Sequence, residues 1–173
     1  MKGFLIKDIS DSYFDVEVAV RCWERKCRSY YKWDKGLKIF LAFVATMTVG
    51  GWLASLATSL VLWIKVLWQV SSIISMGAAI ILPASDLTKK IYIAARLREK
   101  WSEIASLYHT LWVDIPEMYL DEVRTEYKDI RKTANLASVD EIGIPKIKEE
   151  LNRECRKEVL KSWGITDRSK NNV

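Results

Sequence analysis

The sequence predicts an all-α membrane protein: a two-span helical hairpin continuous with an antiparallel cytoplasmic helical stalk, followed by C-terminal helices. Three observations predict it. Ile39–Ile64 runs 26 residues without a charge and Val66–Ser85 another 20, with Lys65 alone between them. Basic residues crowd the outer flanks of both runs. Apolar residues at steps of three and four, the period of a helix face, precede and follow them.

The uncharged runs set the hairpin. A helix needs roughly 20 apolar residues to cross the hydrocarbon core, so the stretch fits two spans, about 37–58 and 66–85. A single helix would hold Lys65 at membrane depth, at a cost of several kcal/mol. Two spans bent around Lys65 put that charge at the far interface. Trp63 and Trp68 bracket the turn, and Tyr30, Tyr31 and Trp33 precede the first span. Such rings favour the headgroup level. A very apolar buried hairpin in a soluble domain is the competing reading, but the remaining chain is too short to wrap two helices that are apolar all round.

Orientation follows from the flanks. Arg21, Arg25, Lys26, Arg28, Lys32, Lys35 and Lys38 come before the first span, and Lys89, Lys90, Arg96, Arg98 and Lys100 after the second. Basic residues near span ends stay in the cytoplasm, so both termini are expected there. Charges placed beside spans face anionic lipid more simply than nucleic acid, and no nucleic-acid partner is expected.

In chain order, Met1–Ser10 reads as a tether or strand-like tail. A helix is expected to begin near Asp11-Ser12, either of which can cap it. Its stripe is Tyr13, Val16, Val20, Trp23, Cys27 and Tyr30, and Gly36 is the expected hinge before the first span. In the spans, Gly51, Ser55 and Ser59 are four apart, as are Ser71, Ser75 and Ala79. Small residues at this spacing let helix backbones approach closely. They either close the hairpin on itself or face other subunits or a wet pore, with Gln69 adding an amide. Trp52 falls near mid-span as a packing plug or a constriction. After Pro83, Ser85-Asp86 can cap the next helix, whose seam is Ala94, Leu97, Trp101, Ile104, Tyr108 and Leu111. The two stalk seams are expected to pair antiparallel, within one chain or between subunits.

Pro116 is a second expected hinge and opens a helix with the stripe Tyr119, Val123, Tyr127 and Ile130, ending near Asn135. Ser138–Gly143 reads as a polar linker. Pro145 opens a last helix carrying Ile147, Leu151, Cys155, Val159 and Trp163, stopped by Gly164. The chain is thus divided into 1–115, the hairpin with its stalk, and 116–173, a C-terminal cytoplasmic helical region with a polar tail.

Little catalytic chemistry is on offer. There is no Gly-rich phosphate loop, GxSxG or HExxH, so an enzyme is not expected. Cys22, Cys27 and Cys155 form no CxxC pair, and His109 is the single histidine. That set matches no zinc-ligand spacing, and no metal or cofactor is expected. No secretory signal is read, because Lys7-Asp8 interrupts Met1–Ile6 before a hydrophobic region develops.

The layout of Arg21–Tyr31, the hairpin Ile39–Ser85 and Ala94–Leu111 resembles the SLATT superfamily of two-transmembrane effector domains of bacterial conflict and antiphage systems. The resemblance implies an inner-membrane protein that oligomerises and permeabilises or depolarises the membrane on a cytoplasmic signal, with a separate sensor or regulatory protein as partner. Two other readings stay open: a non-toxic membrane anchor recruiting a cytoplasmic partner through 116–163, and a phage holin-like protein.

Overall fold

The computed structural model describes residues 2–55, 86–141 and 146–165, with Val66, Gln69, Val70, Ile73 and Ile144 in addition. The described residues are helical, with no strand among them. Helix α1 is Lys2–Ser55, α2 Leu87–Asp114, α3 Leu120–Val139 and α4 Glu149–Ser162. Among the described residues no helix is long and apolar enough to cross a membrane. Most of the uncharged stretch after Ser55 lies outside them.

The chain forms two compact units. One joins Met1–Cys27 with Ile93–Val173; the other is Arg28–Tyr92. The segment after Pro116 therefore shares a unit with the first helix.

That first unit is an up-down-up-down arrangement of four helical segments. Tyr13 of α1 stacks on Tyr108 of α2, ring centroids 6.3 Å apart, and Trp23 and Trp101 bond a common acceptor. Rising numbers on α1 meet falling numbers on α2, so the two run antiparallel. Tyr108 meets the edge of Tyr127, and Lys100 pairs with Asp140, which sets α3 antiparallel to α2. Trp163 packs on Phe14, and Arg25 reaches Glu154 at 2.5 Å, so α4 runs back along α1.

The N-terminus departs from expectation. Helix α1 starts at Lys2, so Lys2–Ser10, expected as part of a tether or strand-like tail, is helical. Lys7 and Asp8 break the hydropathy of this segment, but both are exposed, while Ile9 is fully buried and lies seven residues from the buried Val16. The polar pair thus occupies the outer face of an amphipathic helix. Ser12 is no cap either: its hydroxyl lies 3.0 Å from the Tyr127 hydroxyl.

Other boundaries shift modestly. Pro116 lies in an exposed turn whose Glu117 N–H bonds the Asp114 carbonyl at 2.9 Å, and α3 begins only at Leu120. There the Glu122 carboxylate accepts the Tyr119 N–H at 3.0 Å, satisfying one of the donors that a helix start leaves open. Helix α3 passes the expected end at Asn135 and reaches Val139, because Ala137 is still buried. Helix α4 closes with Gly164 at φ +71°. The Ile165 N–H bonds the Leu160 carbonyl at 3.0 Å and the Gly164 N–H that of Lys161 at 3.1 Å. This pair of bonds is a Schellman stop, whose left-handed residue favours glycine.

Candidate functional site

The polar centre of the bundle is built around Glu141. Its Oε1 accepts the indole N–H of Trp23 and that of Trp101, each at 2.8 Å. The two tryptophans come from the facing seams of α1 and α2, and both are buried. A buried indole keeps one donor that must find an acceptor, and the carboxylate just past α3 supplies it for both. The Lys26 ammonium sits 4.6 Å from the centre of the Trp23 ring. Burial holds its pKa down, with the charge of Glu141 opposing. Beside them Lys100 pairs with Asp140, and that contact holds the Asp140 carboxyl below its ordinary range. Within the first unit the cluster ties α1, α2 and the end of α3. Its geometry is that of a clamp, one carboxylate oxygen held by two indole donors from facing helices.

A second contact surface joins α1 to α4. Val18, Cys22, Cys155 and Val159 form one buried cluster, with Phe14, Ile147, Leu151 and Trp163 packed around it. Burial and a hydrogen bond with Cys155 push the Cys22 thiol up to about 12. Arg25 pairs with Glu154 and Glu158, and Arg156 with Asp15, at the edges of this surface. The Trp163 indole donates to Glu17 at 3.1 Å and lies 5.4 Å from the Tyr13 ring. Burial, together with the charge and hydrogen bond of Glu17, pushes the Tyr13 phenol up to about 12. His109 is exposed, its Nδ1 3.4 Å from the Tyr13 hydroxyl.

Of the residues singled out in the sequence, Ala94, Leu97, Trp101, Ile104 and Tyr108 are buried along α2, with Leu111 beyond them. On α1, Trp23 and Cys27 are buried and Val20 is half-buried. Gly36 is helical, and a Cβ added there would meet nothing within 4 Å. Pro116 is exposed in its turn. Gly51, Trp52 and Ser55 belong to α1 by their backbone. Gln69 is helical and exposed. Ser59, Ser71, Ser75 and Ala79 lie outside the described residues.

Two features escaped the sequence reading. Glu141 stood in a segment read as a polar linker, although two seam tryptophans on facing helices each require an acceptor once buried. The second buried face of α1, Phe14, Val18 and Cys22, was hidden because only one stripe was read from that helix. Among the described residues, no group of three or more His, Cys, Asp or Glu could hold a metal ion.

Comparisons with protein-family models, with curated proteins and with solved structures return no match.

Proposed function

We propose that this chain is a two-span membrane effector whose cytoplasmic bundle restrains the hairpin until a signal releases it to permeabilise or depolarise the bilayer. The observation that carries the reading is the apolar surface of the unit Arg28–Tyr92. Ile39, Phe43 and Ile73 are 61%, 60% and 71% exposed, and Phe40, Val66 and Val70 are exposed with them. Soluble monomers seldom leave large contiguous apolar patches in water. In lipid these side chains need no protein cover, and the 26- and 20-residue uncharged runs around them match the length of two crossings.

The bundle supplies the restraint. Release of Trp23 and Trp101 from Glu141 would loosen the two segments that lead into the hairpin, and the small-residue faces at Gly51–Ser59 and Ser71–Ala79 would then associate between copies. The oligomer and a separate sensor protein belong to this proposal, and the resemblance in layout supports both.

The test is membrane potential in induced cells, read with a voltage-sensitive dye, with and without the neighbouring genes, alongside alkaline extraction of membranes. Depolarisation in either context, lost in the Gly51→Leu/Ser55→Leu protein that still resists extraction, supports the effector. Release of the protein by alkaline carbonate would sink the membrane reading altogether. Membrane retention with an unchanged potential in both contexts would favour the anchor. One observation already speaks for that second reading: Trp112, Val113 and Tyr119, around the α2–α3 turn, are exposed and offer a partner an apolar handhold.

A further inference from the structure

The charge of this chain is not spread over it. The unit Arg28–Tyr92 holds seven Lys and Arg against Asp34 and Asp86, a balance of +5, which is the net charge of the whole chain. The helical bundle is therefore neutral in sum. Six of those seven bases stand in two short segments, 28–38 and 89–90, outside the uncharged runs. The other unit carries 20 bases against 20 acids, so the excess of bases over acids is confined to Arg28–Tyr92.

Their placement on the helix is specific. Arg28, Lys32 and Lys35 recur at steps of four and three in α1, so they share one face. All three are exposed, as is Lys89 on α2. Tyr31, Trp33 and Tyr92 stand exposed among them. Ammonium groups interleaved with amphipathic rings, next to long apolar runs, are the chemistry of a headgroup layer: the rings sit at the level of the glycerol and phosphate, and the cations meet negative charge. The intervening acid, Asp34, is engaged by Lys38 at 2.6 Å and so does not cancel Lys32 and Lys35.

We infer that segments 28–38 and 86–92 form a collar that binds anionic phospholipid headgroups in preference to zwitterionic ones. This rests on the membrane reading above and adds a lipid partner to it. The partner is the phosphate-bearing anionic lipid of the bilayer.

The experiment reconstitutes the full chain into phosphatidylcholine bilayers containing trace spin-labelled phosphatidylglycerol or spin-labelled phosphatidylcholine. It reads the fraction of each label whose motion the protein restricts. The expected result is a several-fold preference for phosphatidylglycerol over phosphatidylcholine. Molar salt, which shortens the screening length to roughly 3 Å, should erase it. The Lys32→Gln/Lys35→Gln/Lys89→Gln protein should lose the preference, while the corresponding Lys→Arg protein keeps it with unchanged helix content. Equal restriction of both lipids by the wild-type chain would overturn the collar and leave the membrane reading standing. Restriction of neither lipid would remove both. Tight binding of a duplex oligonucleotide by the detergent-solubilised chain, lost in the same Gln protein, would assign these bases to nucleic acid and overturn the proposal.

Discussion

Trp23 and Trp101, on antiparallel helices, donate their indole N–H groups to the same oxygen of Glu141, each at 2.8 Å. One carboxylate thus satisfies two buried donors from two different helices. The arrangement makes the end of α3 a tie between the two segments that lead into and out of Arg28–Tyr92.

Removing the acceptor should therefore cost more than an ordinary surface change. Glu141→Leu leaves both indole donors unpaired and is expected to destabilise the bundle by about 2–4 kcal/mol. Glu141→Gln keeps a carbonyl acceptor and should cost only ~1 kcal/mol. Urea unfolding followed by circular dichroism measures both, and a Leu variant as stable as wild type would deny the tie any structural role.

Two leucines one turn apart on α2 give an internal control. Leu111 is 1% exposed and Leu107 47%. Leu111→Ala should cost about 2–5 kcal/mol, the usual range for a buried leucine. Leu107→Ala should stay within roughly 0.5 kcal/mol. Similar costs at the two sites would mean that α2 is rotated from the orientation described.

How much of this was legible in the sequence depends on the helix. The α2 residues from Ala94 to Leu111 were readable because a single partner-facing stripe recurs at clean steps of three and four. Helix α1 was only half readable. It packs against α2 and α3 on one side and α4 on the other, so Phe14, Val18 and Cys22 fall between the positions of the stripe. Its start was missed because Lys7 and Asp8, judged by hydropathy, hide the alternation that places Ile9 inside. Glu141 was invisible to periodicity. Its role comes from contacts at sequence separations of 118 and 40, which no local pattern encodes.

Tyr13 predicts alkaline sensitivity. Its phenol is neutral when protonated, and its folded value lies above the ordinary 10.0, at about 12. Burial favours the neutral form, so the contribution to stability is complete below pH about 10 and is lost as pH rises toward 12. The melting temperature should fall across that window, and the fall should be smaller in Tyr13→Phe. A phenolate that forms in the folded protein at the ordinary pH would contradict the placement of Tyr13 against Trp163 and Glu17.

The thiols offer a further check. Cys22 and Cys155 are fully buried, and the Cys22 thiol is held in its protonated, unreactive form by burial. Neither should react with a disulfide reagent at neutral pH until α4 lifts from α1. Trp163→Ala removes the ring contacts to Tyr13 and Phe14 and should speed labelling of Cys155 about tenfold or more, the factor expected for a loss of ~1.4 kcal/mol in docking. Rapid labelling of Cys155 in the wild-type protein would place α4 elsewhere.

The order of the chain has a consequence for how the protein is made. The bundle takes its first helix from Met1–Cys27 and the rest from Ile93 onward, with the whole of Arg28–Tyr92 in between. Ile9, Val16, Val18, Cys22 and Trp23 therefore leave the ribosome long before α2, α3 or α4 exists to cover them. At roughly 5–20 residues per second, that interval is on the order of ten seconds, long compared with helix formation or collapse. During it this nascent segment is an amphipathic helix whose apolar face is uncovered. A holdase would have to shelter it, and a ribosome stalled between Arg28 and Tyr92 would strand it.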